Sequence, residues 1–144
     1  MKRLIAAVAL VALATPTALA RSEVLDFDVS AALASSHNAA MLTDVPVFMK
    51  GQPHPEVARV VGTWKSNRPS RSALTSDENA CQRAFMSAII TLQQRAKLEG
   101  GDAVIDIYSV GRGTDLTSAT QFRCVTGNIV ASVGLSGTVV SLRK

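Results

Sequence analysis

The stretch SDENACQRAFMSAIITLQQRAKL, Ser76 to Leu98, constrains this chain more than any other. Cys81, Ala84, Phe85, Ala88, Ile89, Leu92 and Ala96 recur at spacings of three and four, the period of one helix face. Thr75 or Ser76 can cap the start, and Thr75 with Glu78 fits a capping box. Asp77 and Glu78 favour the positive end of the helix dipole, and Arg95 and Lys97 the negative end. Gly100 is placed to stop the helix in the left-handed conformation. Gln82, Arg83, Gln93, Arg95 and Lys97 lie mostly off the apolar stripe. An amphipathic helix must bury its stripe against a second layer, so the rest of the chain has to supply one.

The material for that layer is strand-like. After the helix, Ala103, Ile105 and Ile107 alternate with Val104, Asp106 and Tyr108. Both sets are largely apolar, which predicts a central strand over Ala103 to Val110 covered on both sides. Val45 to Met49 and Val57 to Trp64 read as two earlier strands, separated by Gly51-Gln52-Pro53-His54-Pro55, a run of turn formers. Lys65 to Asn79 has no apolar period before the helix and reads as a polar, basic loop. Phe122 and Cys124 alternate with Gln121 and Arg123, and Gly127-Asn128 signals a hairpin. The return strand carries Ile129, Ala131, Val133 and Leu135 on one face, with Gly134 and Gly137 placed to let it bend. The order is β-β-α-β-β-β. Val57–Trp64 and Ala103–Val110 flank a crossover helix and should run parallel. The fold class is α+β: one long helix on a small mixed sheet, over residues 44–144. Residues 21–43 read as a partly ordered arm or a short helix capped by Asp28, with Val29, Ala32, Leu33 and Ala40 on one side.

The first twenty residues, MKRLIAAVALVALATPTALA, stand apart. Lys2 and Arg3 precede an apolar core from Leu4 to Ala14, and the run ends Ala18-Leu19-Ala20. This is the order of a secretory signal with cleavage before Arg21, and the core is shorter than the ~20 residues of a membrane span. No cysteine at the cut offers a lipid attachment point. Cleavage leaves about 124 residues with a formal charge of about +2, against +4 for the whole chain. That is too little positive charge to argue for nucleic acid. Cys81 and Cys124 remain, and in an exported protein the default for such a pair is a disulfide. Its loop of about 43 residues corresponds to about 4 kcal/mol in the chain-entropy estimate. The bond would pin the helix start to the sheet, in a protein expected in the periplasm.

The motifs for chemistry are sparse. GxxxxGK[ST] and GxGxxG are absent, and Gly100-Gly101 follows a helix where a phosphate cradle would precede one, so no nucleotide is expected. His37, His54, Cys81 and Cys124 are the nitrogen and sulfur donors, without CxxC or HxxxH spacing; neither a metal nor another cofactor is expected. His54, held between two prolines, is either a surface histidine or a lone ligand in a metal-binding module. GxSxG is missing, and the two cysteines on core faces suit a structural bond better than a reactive thiol. Asp106 sits inside the most apolar strand, where a carboxylate is costly unless paired. Either its face is half covered, or Arg123 on a neighbouring strand pairs with it, or it is a catalytic acid. Lys65, Arg68 and Arg71 form a solvated surface or a contact for anionic lipid or polysaccharide.

ENACQRAFMSAIITLQQRAKLEGGDAVIDIYS followed by TQFRCVTGNIVASVGLSGTVVSL resembles a group of small exported proteobacterial proteins, many of which carry the label "excinuclease ATPase subunit". The absence of a nucleotide-binding loop gives that label no support here. More distantly, the layout is similar to the Rcs stress-sensing outer-membrane lipoprotein (RcsF-like) and to the YbjQ-type domain. The resemblance implies an α/β domain held by disulfides that works by contacting other envelope proteins. The chain departs from the sensor pattern in two places. It lacks the lipid-bearing cysteine, and Ser109 stands where the sensor family has a strand cysteine. The expectation is a non-enzymatic, non-lipidated periplasmic protein whose partners are envelope proteins of unknown identity. The rival expectations are a small ligand- or metal-binding module and a hydrolase or thiol-redox enzyme.

Overall fold

A computed structural model describes residues 21–37, 39–111, 113 and 115–144. The expected signal segment, 1–20, lies outside the described residues. The chain runs β1 (Ser22–Asp28), α1 (Val29–Ala34), a 3-10 turn (Ala39–Met41), β2 (Val47–Met49), β3 (Val57–Arg71), α2 (Asp77–Leu98), β4 (Ala103–Ser109), β5 (Gln121–Gly127) and β6 (Val130–Leu142). The class is α+β, with six strands in one curled mixed sheet and α2 packed on one face.

Helix α2 follows its sequence closely. All seven stripe residues are buried. Ser76 is the cap, its hydroxyl accepting from the Asn79 amide at 3.1 Å, so the Thr75–Glu78 box does not form. Gly100 takes φ +74°, Gly100 N donates to Lys97 O and Gly101 N donates to Ala96 O, the paired bonds that end a helix in a left-handed turn. Gln93, expected off the stripe, is 3% exposed. Its side-chain amide donates to Thr43 O and Val45 O and accepts from Thr43 N, so burial is compensated by bonds that hold the segment before β2.

Strand β6 organises the sheet. Its whole length pairs antiparallel with β3 on one edge, from Val57↔Leu142 to Arg71↔Val130. The other edge meets β5 near Ser132 and β4 from Leu135 to Val140. β1 adds antiparallel to β5, and β2 parallel to β4. Strands β3 and β4 both run antiparallel to β6, so they share a direction as the crossover predicts, but β6 lies between them. The neighbour parallel to β4 is β2.

Three sequence expectations are corrected. Residues 21–43 include α1, with Asp28 accepting from Ala31 N as its cap, but Ser22–Asp28 is a strand. Its hydrogen-bonding partner β5 lies about a hundred residues away, and only Leu25 and Phe27 mark its inner face. Of the basic loop expected over Lys65 to Asn79, Lys65–Arg71 is the second half of β3 and Asp77–Asn79 begins α2. The β3 part has no apolar period because it is an edge strand whose far face meets solvent. Finally, the alternation in β4 breaks at Asp106, which has φ +52° in a bulge between Ile105 and Tyr108. Val104 and Ile107 therefore face α2, whereas Ala103 and Ile105 join Val140 on the opposite face.

The main core lies between α2 and the sheet. Phe85 stacks on Phe122 with ring centres 4.3 Å apart, and Phe27 tilts against Phe122 at 6.1 Å. The Cys81–Cys124 disulfide ties the first turns of α2 to β5, Cα to Cα 5.8 Å, as the sequence predicts. Ser109, 1% exposed, closes the seam where β4 and β5 diverge beside β6: its hydroxyl accepts from Arg123 N at 2.9 Å.

Candidate functional site

The second face of the sheet is covered at one end. At the far end of β6, Phe48, Val57 and Leu142 pack on Ala103, Ile105 and Val140. At the other end no layer of described residues covers the strands. The registers place Ser22, Val24 and Asp26 of β1, Arg123 and Val125 of β5, Ser132 and Gly134 of β6, and Lys65 and Asn67 of β3 on this open face.

Two hollows share this surface. One, about 390 Å³, is lined by Ser22, Val24, Asn67, Val110, Arg123 and Ser132 among others. Its neighbour, about 440 Å³, is lined by Lys65, Asn67, Tyr108, Val110 and Asp115. Asn67, Val110, Gly111 and Gly134 border both, so they form one continuous groove. The floor is shallow because β6 presents Ser132 and Gly134 there. At Gly134 a Cβ would come within 2.4 Å of Val110 O, and Val110 N donates to Gly134 O at 2.9 Å. Glycine is needed for the chain leaving β4 to close on β6.

The groove's strongest electrostatic feature is an ion pair. Arg123 Nε and Nη2 donate to the two Asp26 carboxylate oxygens at 2.8 and 2.9 Å. Hydrogen bonding from Arg123 holds the Asp26 carboxyl below its usual range, against a smaller opposing effect of burial. Arg123 is held charged by the same bonds. Beside the groove, the Lys50 ammonium lies 5.7 Å from the Tyr108 ring centre. At the β1 end, Arg21 pairs with Asp77 at the start of α2 and with Glu23 at 3.5 Å.

The residues singled out from sequence are dispersed. His54 is exposed, with Nδ1 2.8 Å from Pro55 O and its ring 5.8 Å from that of Phe48. Asp106 is exposed on its bulge, and Arg123, the partner the sequence offered it, is bound to Asp26. Arg68 and Arg71 are both on β3: Arg68 Nε donates to Thr91 Oγ1 on α2 at 2.9 Å, and Arg71 O accepts from Arg83. Among the described residues, no hydrogen bond or ion pair joins His54, Asp106, Arg68 and Arg71 to one another, and no three His, Cys, Asp or Glu side chains gather around a metal-sized space. No helix among them is long and apolar enough to cross a membrane. The groove residues Asn67, Tyr108, Val110 and Ser132 carry no motif. Their one trace in the sequence is the small-residue alternation Ser132, Gly134, Ser136, Thr138.

No family model matches the chain, and no curated protein matches it. A solved structure of a protein of unknown function, from the DUF74 family of Pediococcus pentosaceus, is similar with a TM-score of 0.48 and 14% identity, covering 70% of this chain and 100% of that one. A TM-score below 0.5 assigns neither a fold family nor a function.

Proposed function

We propose that this chain is a non-enzymatic interaction module of the cell envelope, exported to the periplasm without lipidation and stapled by Cys81–Cys124. The observation that carries this reading is the end of the sheet's second face over which no layer of described residues packs. An antiparallel sheet can leave one face to water, and this face carries the charged Asp26, Arg123 and Lys65, but it is not uniformly polar. Here Val24, Val110 and Val125 border a groove with Asn67, Ser132 and Tyr108, a mixture suited to contact with another protein surface. Export is supported by the Lys2-Arg3 start, the apolar run and Ala18-Leu19-Ala20, and by a cystine that persists in an oxidising compartment. His54 and Asp106 line neither hollow, which favours binding over catalysis at the groove.

The test is site-specific photocrosslinking in living cells of the native host. A crosslinking residue replaces Ser132 in the groove or, as control, Glu99 at the end of α2. Discrete adducts from Ser132 and none from Glu99 are expected. A blank at Ser132, with the protein present at normal level in the periplasmic fraction, would count against the interaction reading.

A further inference from the structure

The outer edge of β3 is a second surface, which borders the open-face groove at Lys65 and Asn67. Among the described residues β3 pairs with β6 alone, so one of its backbone edges is unpaired. Which residues face outward follows from the register. Ser72 N donates to Ile129 O, and this pair continues the β3–β6 register without a shift back to Gly62. Alternate residues of an antiparallel strand turn both backbone groups to the same side. Gly62, Trp64, Ser66, Arg68 and Ser70 therefore turn theirs toward β6, and Thr63, Lys65, Asn67, Pro69 and Arg71 turn theirs outward. Three facts agree. Pro69, which has no N–H to give, occupies an outward position. Arg71 O is met from outside β6 by Arg83 of α2 at 2.9 Å. Gly134, opposite Asn67, spends its carbonyl on Val110, away from β3.

The edge is therefore blocked at both ends and open in the middle. Pro69 and the Arg83 cap close one end, and the irregularity between Val60 and Gly62 closes the other. Between them, the outward N–H and C=O groups of Thr63, Lys65 and Asn67 have no partner among the described residues. At the Pro69 end of this window, on the α2 side, lies a hollow of about 390 Å³ lined by Met41, Arg68, Pro69, Ile90, Thr91 and Gln94. A strand-edge window beside a strand–helix groove is the arrangement by which a sheet takes an added extended peptide: main-chain bonds on the edge and alternate side chains in the groove. The charge selects the occupant. Between Val57 and Arg71 the chain has Arg59, Lys65, Arg68 and Arg71 and no carboxylate. Among the described residues Arg59, Lys65 and Arg71 have no acidic partner. A second copy of β3 would bring like charges together, whereas an acidic segment neutralises them.

We infer that β3 binds an acidic, extended segment of a partner protein by strand addition at Thr63–Asn67, with alternate side chains entering the groove beside α2. This rests on the interaction reading above and names the partner's chemistry. The probe is a synthetic heptapeptide alternating glutamate and valine, added to protein expressed from the full chain. The amide protons of Lys65 and Asn67 should gain protection from hydrogen exchange, with binding that weakens as salt rises. Lys65→Pro removes one outward donor and leaves the β6 ladder intact, whereas Lys65→Gln removes the charge alone. The proline variant should bind about tenfold more weakly than the glutamine variant, the effect of one backbone hydrogen bond. Asn67→Pro repeats the comparison against Asn67→Ala should the first variant misfold. Equal binding by the proline and non-proline variants, equal binding of a lysine–valine peptide, or protection that arises from self-association without peptide would each overturn the inference. So would binding to phosphatidylglycerol vesicles in place of the peptide. In cells, photocrosslinks from Gln94 should accompany those from Ser132. Adducts from Ser132 with none from Gln94 would leave the groove reading standing and remove this one, whereas blanks at both would remove both.

Discussion

The two faces of the sheet are built from one set of strands and differ in almost every physical respect. On the α2 face, Phe85, Phe122, Ile89, Leu92, Val133 and Leu135 are at most 1% exposed, and the disulfide crosses the layer. On the opposite face a small cluster covers one end, and a groove floored by Ser132 and Gly134 occupies the other. The contrast assigns stability to one face and leaves the other for the proposed recognition. A face already filled by side chains has no apolar area left to offer a partner. The open face retains area that can still be removed from water.

The contrast breaks most visibly at Phe85. Phe85→Ala removes a stacked ring from the helix face and should cost about 3–5 kcal/mol in urea unfolding; a loss as small as a surface change would dissolve the distinction. Replacing Cys81 and Cys124 together by alanine should cost about 2–4 kcal/mol, seen as a lower urea midpoint that reductant no longer shifts. Ser109→Ala leaves Arg123 N without its buried acceptor and should cost about 1–2 kcal/mol, with faster amide exchange at Arg123.

Changes on the open face should be milder. Asp26→Asn weakens a half-exposed ion pair and should cost at most about 1 kcal/mol at neutral pH. Arg123 lowers the folded-state pKa of Asp26, so the carboxylate's contribution is full above its unfolded pKa and is lost as pH falls through the folded value. The gap in urea midpoint between wild type and Asp26→Asn should therefore close on acidification; a gap independent of pH would assign the effect to packing. Smallest of all, Ser132→Ala should leave unfolding within about 0.5 kcal/mol of wild type. A large destabilisation there would mean that the groove floor is structural.

The legible parts of the molecule were those whose signal is local. Helix α2 could be read because its stripe, its caps and the Gly100 stop all lie within one run of chain. The disulfide could be read because two cysteines in an exported chain leave one pairing. Strand β1 and the second half of β3 could not, because each is defined by a partner distant in sequence and each has a solvent-facing side that erases apolar alternation. The bulge at Asp106 was hidden for another reason. Period-two alternation in β4 fits the sequence equally well with or without one extra residue, and only the pairing with β6 reveals the change of face. The candidate site was the least legible part. Arg68 and Arg71 were visible as charges, but their place on a strand edge beside α2 was not, and Asn67, Val110 and Ser132 carry no chemistry that a motif could mark.

The sequence by itself determined the α+β class, the helix with its ends, the Ala131, Val133 and Leu135 side of β6 (though not Ile129, which is exposed before the strand) and the Cys81–Cys124 bond, since periodicity, capping and cysteine count act within short spans. Tertiary structure alone decided that β6 lies between β3 and β4, that Ser109 seals a seam by accepting from Arg123, and that no layer of described residues packs over one end of the second sheet face. Those outcomes depend on which strands meet, and strand pairing is settled by long-range packing that no local pattern encodes.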